Sequence, residues 1–131
     1  MRVKSFAAAA AAALMLEMTV AGQYEGWTIP EGARDEKSPL ESSPDLLKKG
    51  KSLFAGNCQK CHGPLGKGDG PDSKHAADLT DPSRTELNPD GVLYYKIMNG
   101  HSPDMPAFKS RLAKNDVWTV VAYVRTLRKT D

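Results

Sequence analysis

The residues best suited to chemistry are Cys58 and Cys61, the two cysteines of the chain, and His62 directly after the second. Three positions apart on a helical turn, two thiols lie on one side. The run Cys58-Gln59-Lys60-Cys61-His62 has the Cys-x-x-Cys-His pattern of a c-type haem attachment site. Two thiols so placed match the two vinyl groups of one porphyrin edge. Thioether bonds then fix the macrocycle, and the neighbouring imidazole gives the iron its proximal ligand. A thioredoxin-like redox pair would need a βαβ pattern, which the sequence lacks. A zinc site would have to recruit His75 and His101, far outside the histidine spacing of a finger. A disulfide across two residues is strained and staples almost nothing.

A second axial ligand must come from elsewhere. Met105 is the candidate: it sits in a turn-rich loop, and Pro106 after it holds it extended and stiffens the loop. A thioether is soft and neutral, so it favours ferrous iron and raises the potential. Met98 is a rival, but it falls on a helical pattern where core filling is the ordinary role. His75 and His101 would instead make a bis-histidine site.

The rest of the chain bounds what can hold such a group. With 131 residues and a formal net charge of +2, it has room for one small domain and lacks the basicity of an electrostatic nucleic-acid binder. Barrels and doubly wound dinucleotide folds need more chain. Aromatics make up 7% of the sequence, so the core gains from a non-protein component.

Residues 1–22 read as a secretory signal peptide. Arg2 and Lys4 precede an apolar run from Phe6 to Leu16, and small residues follow, with cleavage expected after Ala21 or Gly22. The run is too short to span a bilayer, which takes about 20 residues. Residues 23–43, with Pro30, Gly32 and Pro39, read as an extended N-terminal arm anchored by Tyr24, Trp27 and Ile29. The domain proper is expected over 44–131.

Its helices carry end signals. Ser43 and Pro44 start a first helix expected to run to about Asn57, straight into the cysteines. Gly50 in its middle costs about 1 kcal/mol against alanine, which a close helix crossing would explain. Residues 63–87 read as loop. Asn88 and Pro89 begin a second helix that Gly100 stops. Asn115 or Asp116 caps the last, whose buried stripe is Val117, Val120, Val121, Val124 and Leu127, with Arg125 and Arg128 suiting its negative end. The expectation is an all-α domain of three main helices and long loops.

With these residues in place, the chain resembles a class I monohaem cytochrome c over about residues 44–128. The likeness rests on Gly50 and Phe54, on Cys58 to Gly63, on Gly66-Lys67-Gly68-Asp69-Gly70-Pro71, on Ile97-Met98-Asn99-Gly100, on Met105-Pro106-Ala107-Phe108 and on Val121 to Leu127. The resemblance implies the small cytochrome c fold, wrapped around one covalent haem c with His62 and Met105 on its iron. It implies that first and last helices cross at Gly50 and Tyr123. It also implies that a proline carbonyl accepts the proximal imidazole N–H, matched by motif to Pro71. Arg84 is a candidate partner for the haem propionates. Such attachment takes place outside the cytoplasm, in keeping with the export signal and a periplasmic location.

An iron ligated on both sides leaves no open position for a small-molecule substrate, so one-electron transfer is the expected function and no enzyme activity is expected. A weak haem peroxidase is the alternative if Met105 does not ligate. The expected partners are redox proteins, such as a membrane oxidase, reductase or dehydrogenase, met by a free carrier or by a small subunit of a respiratory chain. Lys48, Lys49, Lys51, Lys60, Lys67 and Lys74 surround the motif, diluted by Asp69, Asp72 and Asp78. They make either a steering patch for an acidic partner or a solvated helix face.

Overall fold

The computed structural model describes residues 26–128; the expected signal segment and Tyr24 lie outside the described residues. Among these described residues, five helices follow a short 3-10 helix at Glu31–Asp35: α1 Pro44–Asn57, α2 Gln59–His62, α3 Pro82–Leu87, α4 Asp90–Asn99 and α5 Lys114–Thr126. Among the described residues there is no strand, only a two-residue bridge between His101 and Met105. Among the described residues no helix is long and apolar enough to cross a membrane.

α1 starts as its sequence demands. The Ser43 hydroxyl accepts from the Leu46 N–H, 3.1 Å away, and Pro44 occupies the first turn, where its missing N–H costs nothing. Its buried positions, Gly50 and Phe54, face α5. The buried stripe of α5 is wider than periodicity suggested: Val117, Trp118, Thr119, Val120, Val121 and Val124 are all buried, while Leu127 is half-buried. Thr119 tolerates burial because its hydroxyl donates to the Asn115 carbonyl one turn back. α4 packs on α5 from the other side, with Tyr94 stacked on Trp118 at 4.2 Å between ring centroids and 12° between planes.

Two helix starts differ from the sequence reading, and one helix was not expected. Asn88 does not cap α4; it closes α3, where its side-chain Nδ2 donates to the Arg84 carbonyl. Pro89 stands at the N-cap of α4, and no side chain caps that end. α5 begins at Lys114, ahead of both expected caps, again with no side-chain cap. α3 itself lies inside the stretch expected to be loop. It carries no buried residue, so no apolar period announces it; Asp81, accepting from the Ser83 N–H, and Pro82 start it.

Residues 26–43 are not simply extended. The 3-10 helix packs on α4, buries Ala33, and is admitted there because Gly91 has no side chain: a Cβ at position 91 would collide with the Ala33 carbonyl oxygen.

Candidate haem site

Cys58 is the hinge between α1 and α2. Its N–H donates to the Phe54 carbonyl as the cap of α1, and its carbonyl accepts from the N–H groups of Cys61 and His62. That single turn carries both thiols and the imidazole to one side. The segment after it is laced back onto the turn: Gly68 N–H donates to the His62 carbonyl at 2.8 Å, Gly70 N–H to Cys61 at 3.1 Å and Asp72 N–H to Lys60 at 2.9 Å.

Opposite, Gly100 ends α4, and His101 and Met105 exchange two backbone hydrogen bonds of 2.8 Å each. Phe108 N–H then donates to the Ile97 carbonyl at 3.0 Å, tying the loop to the last turn of α4. These bonds hold Met105 half-buried against the core.

Between the two sides lies a cavity of about 700 Å³, in the range of cofactor sites. Cys58, Cys61, His62 and Met105 all line it. Its walls are apolar through Phe54, Leu79, Leu93, Ile97, Phe108, Val120 and Val124. Met98 does not line it and packs with the core instead. His75 and His101 do lie along the wall, His75 exposed. No group of three or more metal-ligating side chains that could hold a bare ion occurs among the described residues.

The electrostatics suit a ligand that is neutral when bound. The His62 Nδ1 lies 3.1 Å from the Ala77 carbonyl oxygen. A carbonyl only accepts, so Nδ1 carries the proton and Nε2 keeps its free lone pair, able to ligate a metal. Burial holds the imidazole below its ordinary pKa, with the Ala77 bond opposing. The Cys58 thiol is pushed up to about 12, by burial first and then by Cys61. It therefore stays a thiol until it reacts.

Pro71 is a correction. The imidazole bond goes to Ala77, six residues on, and Pro71 lines a separate shallow surface depression with Ala55, Gly56, Gln59, Lys60 and Pro64. Gly70 and Asp72, on either side of Pro71, are both laced onto the attachment turn, and Pro71 does not line the cavity that holds His62. A backbone carbonyl on alanine has no sequence signature, so nothing in the residue types pointed to Ala77.

One end of the cavity is polar. Arg84, Thr85, Asn88 and Arg125 line it. Arg125, read from sequence as a helix-end charge, instead holds the Asp90 carboxylate and the carbonyls of Thr85 and Asn88. The Asn88 Oδ1 is buried with no hydrogen-bond partner. Two thiols and an imidazole on one side, a thioether on the other, apolar walls and a cationic end fit a haem, whose acids and apolar faces need those surroundings.

The cytochrome c family model matches residues 47–128. The chain belongs to the cytochrome c family. One relative of this cytochrome c is the FixP subunit of a cbb3-type cytochrome c oxidase from Azorhizobium caulinodans, 35% identical over 80 residues, or 61% of this chain and 27% of that protein. Another is a cytochrome c6 from Synechocystis sp., 37% identical over 79 residues, covering 60% of this chain and 62% of that one. The chain thus spans about a quarter of the length of the oxidase subunit. Among solved structures, the c-type cytochrome KustC0563 is similar with a TM-score of 0.56 and 25% identity, over 61% of this chain and 98% of that one. Cytochrome cL from Hyphomicrobium denitrificans shares the fold at a TM-score of 0.56 and 22% identity, over 86% and 68%. The chemistry of this cytochrome c domain is electron transfer by a c-type haem.

Proposed function

We propose that this cytochrome c is an exported one-electron carrier with one haem c joined through Cys58 and Cys61 and ligated by His62 and Met105. The observation that carries the reading is the meeting of these four residues on one apolar cavity. When bound, the haem supplies the Fe(III)/Fe(II) couple. The protein's part is to hold both ligands still and keep water out. Ala77 fixes the ring and tautomer of His62, and the His101–Met105 bridge fixes the loop that presents the thioether. Apolar walls disfavour the extra charge of ferric iron and so raise the potential. The cationic end at Arg84 and Arg125 suits the haem carboxylates.

The partner is a redox protein in the exported compartment. The oxidase-subunit likeness supports residence with a membrane complex, and the cytochrome c6 likeness supports a free carrier. Of the lysines near the motif, Lys49 is paired with Asp116 at 2.6 Å and Lys60 with Asp72 at 2.8 Å, which weakens the case for a strong steering field.

Mass spectrometry of the mature protein should find one covalent haem. Met105→Ala should keep the haem, abolish the long-wavelength ferric band of Met–iron ligation and lower the potential. An unchanged spectrum would assign the sixth position to another residue.

A further inference from the structure

We propose that Trp27 is a positioning residue for the methionine side of the iron, so that the N-terminal arm controls how firmly Met105 stays bound. The proposal rests on the reading of Met105 as an axial ligand.

Trp27 lies outside the matched family region, yet it lines the same cavity as His62 and Met105. Its indole is tilted on the His101 ring, with 5.0 Å between centroids and 44° between planes. His101 is joined to Met105 by both hydrogen bonds of the bridge. The chain between them, Ser102, Pro103 and Asp104, is exposed, so the outer side of the loop has little packing of its own. The loop is held instead from its cavity side, where the indole packs on His101. Trp27 is itself held from α4: the Lys96 Nζ stands 5.1 Å from its ring centroid, and Lys96 is 9% exposed. The arm cannot drift, because Ala33 is buried against Gly91 a few residues further on. Arm, α4 and ligand loop are thereby joined through one side chain. Without it, the His101–Met105 bridge loses its aromatic support at His101, and an external ligand competes more easily for the iron.

The test uses ferric holoprotein titrated with imidazole, read by loss of the Met–iron band, beside a urea unfolding curve. Trp27→Ala should bind imidazole about tenfold more tightly, with a small change in urea midpoint. Trp27→Phe should restore the parent affinity, because it keeps an aromatic face for His101 and Lys96. His101→Ala should open the site to a similar degree, and the double variant should add little to either single one. If Trp27→Ala leaves imidazole affinity unchanged while Met105→Ala opens the site, the ligand reading stands and the role of Trp27 is overturned. A loss of stability without a change in affinity overturns it equally. If Met105→Ala itself leaves the Met–iron band intact, both readings fall.

Discussion

Gly50 of α1 lies directly against Tyr123 of α5. A Cβ at position 50 would stand 2.7 Å from the Tyr123 Cβ and 2.6 Å from the Thr119 carbonyl oxygen. Neither neighbour is the loose end of a side chain. The crossing lets Phe54, one turn on, meet the Tyr123 ring at 5.4 Å and cover the cavity wall. The first and last helices are thus locked at the point from which the attachment turn departs.

Gly50→Ala should therefore destabilise the holoprotein, although alanine is the better helix former by about 1 kcal/mol. Overpacking of a close crossing costs about 1–3 kcal/mol, and contact with backbone and a Cβ that cannot swing away puts this site at the upper end, above that gain. A lower urea midpoint with an unchanged slope would show it. A rise in the midpoint would mean that the helices can part without loss.

Arg125→Ala should cost about 2–3 kcal/mol, since it strips the Thr85 and Asn88 carbonyls of a donor and leaves Asp90 unpaired at the cavity end. Arg125→Lys should recover only part, because an ammonium lacks the planar fork that reaches all three acceptors. Loss of the cation beside the cavity should also lower the reduction potential, and redox titration of the two variants separates charge from geometry.

Haem attachment should be a condition of folding. Without the haem, a cleft of about 700 Å³ would stand open between the helices, with Phe54, Ile97, Phe108, Val120 and Val124 on its walls and no apolar partner to cover them. Replacing both Cys58 and Cys61 with serine should leave a chain without near-ultraviolet dichroism or a cooperative melt. A cooperative melt in that variant would show that the helices close on themselves.

Tyr94 should make stability fall in alkali. Burial first, and then the nearby Glu36 charge, hold its phenol above the ordinary 10.0. Between pH 10 and the folded-state value, the unfolded chain has released a proton that the folded chain retains. The slope of stability against pH is then negative, so the contribution present below pH 10 is lost as pH rises. Tyr94→Phe keeps the stack on Trp118 and should flatten that decline. Urea midpoints at about pH 8 and about pH 10.5 measure it.

Much of the fold was legible because its signals are local. Ser43 and Pro44 announced α1, and the valines of α5 announced its buried face. α3 was not legible, since a helix that buries nothing has no apolar period. The expected caps Asn88, Asn115 and Asp116 failed for a related reason: a residue type able to cap says nothing about which neighbouring turn tertiary packing will favour.

The Cys58-to-His62 motif proposed for attachment was legible in the sequence alone, because two thiols and an imidazole on one turn are placed by covalent geometry and helical rise. What crosses the cavity was decided by the tertiary structure. Ala77 rather than Pro71 receives the imidazole bond, because the segment after the motif is laced onto α2 by backbone bonds that no side chain advertises. Trp27 reaches His101, and Arg125 reaches Asp90, across long stretches of chain. Such meetings depend on where whole helices come to rest, and that is set by the packing of α1, α4 and α5 around one shared core.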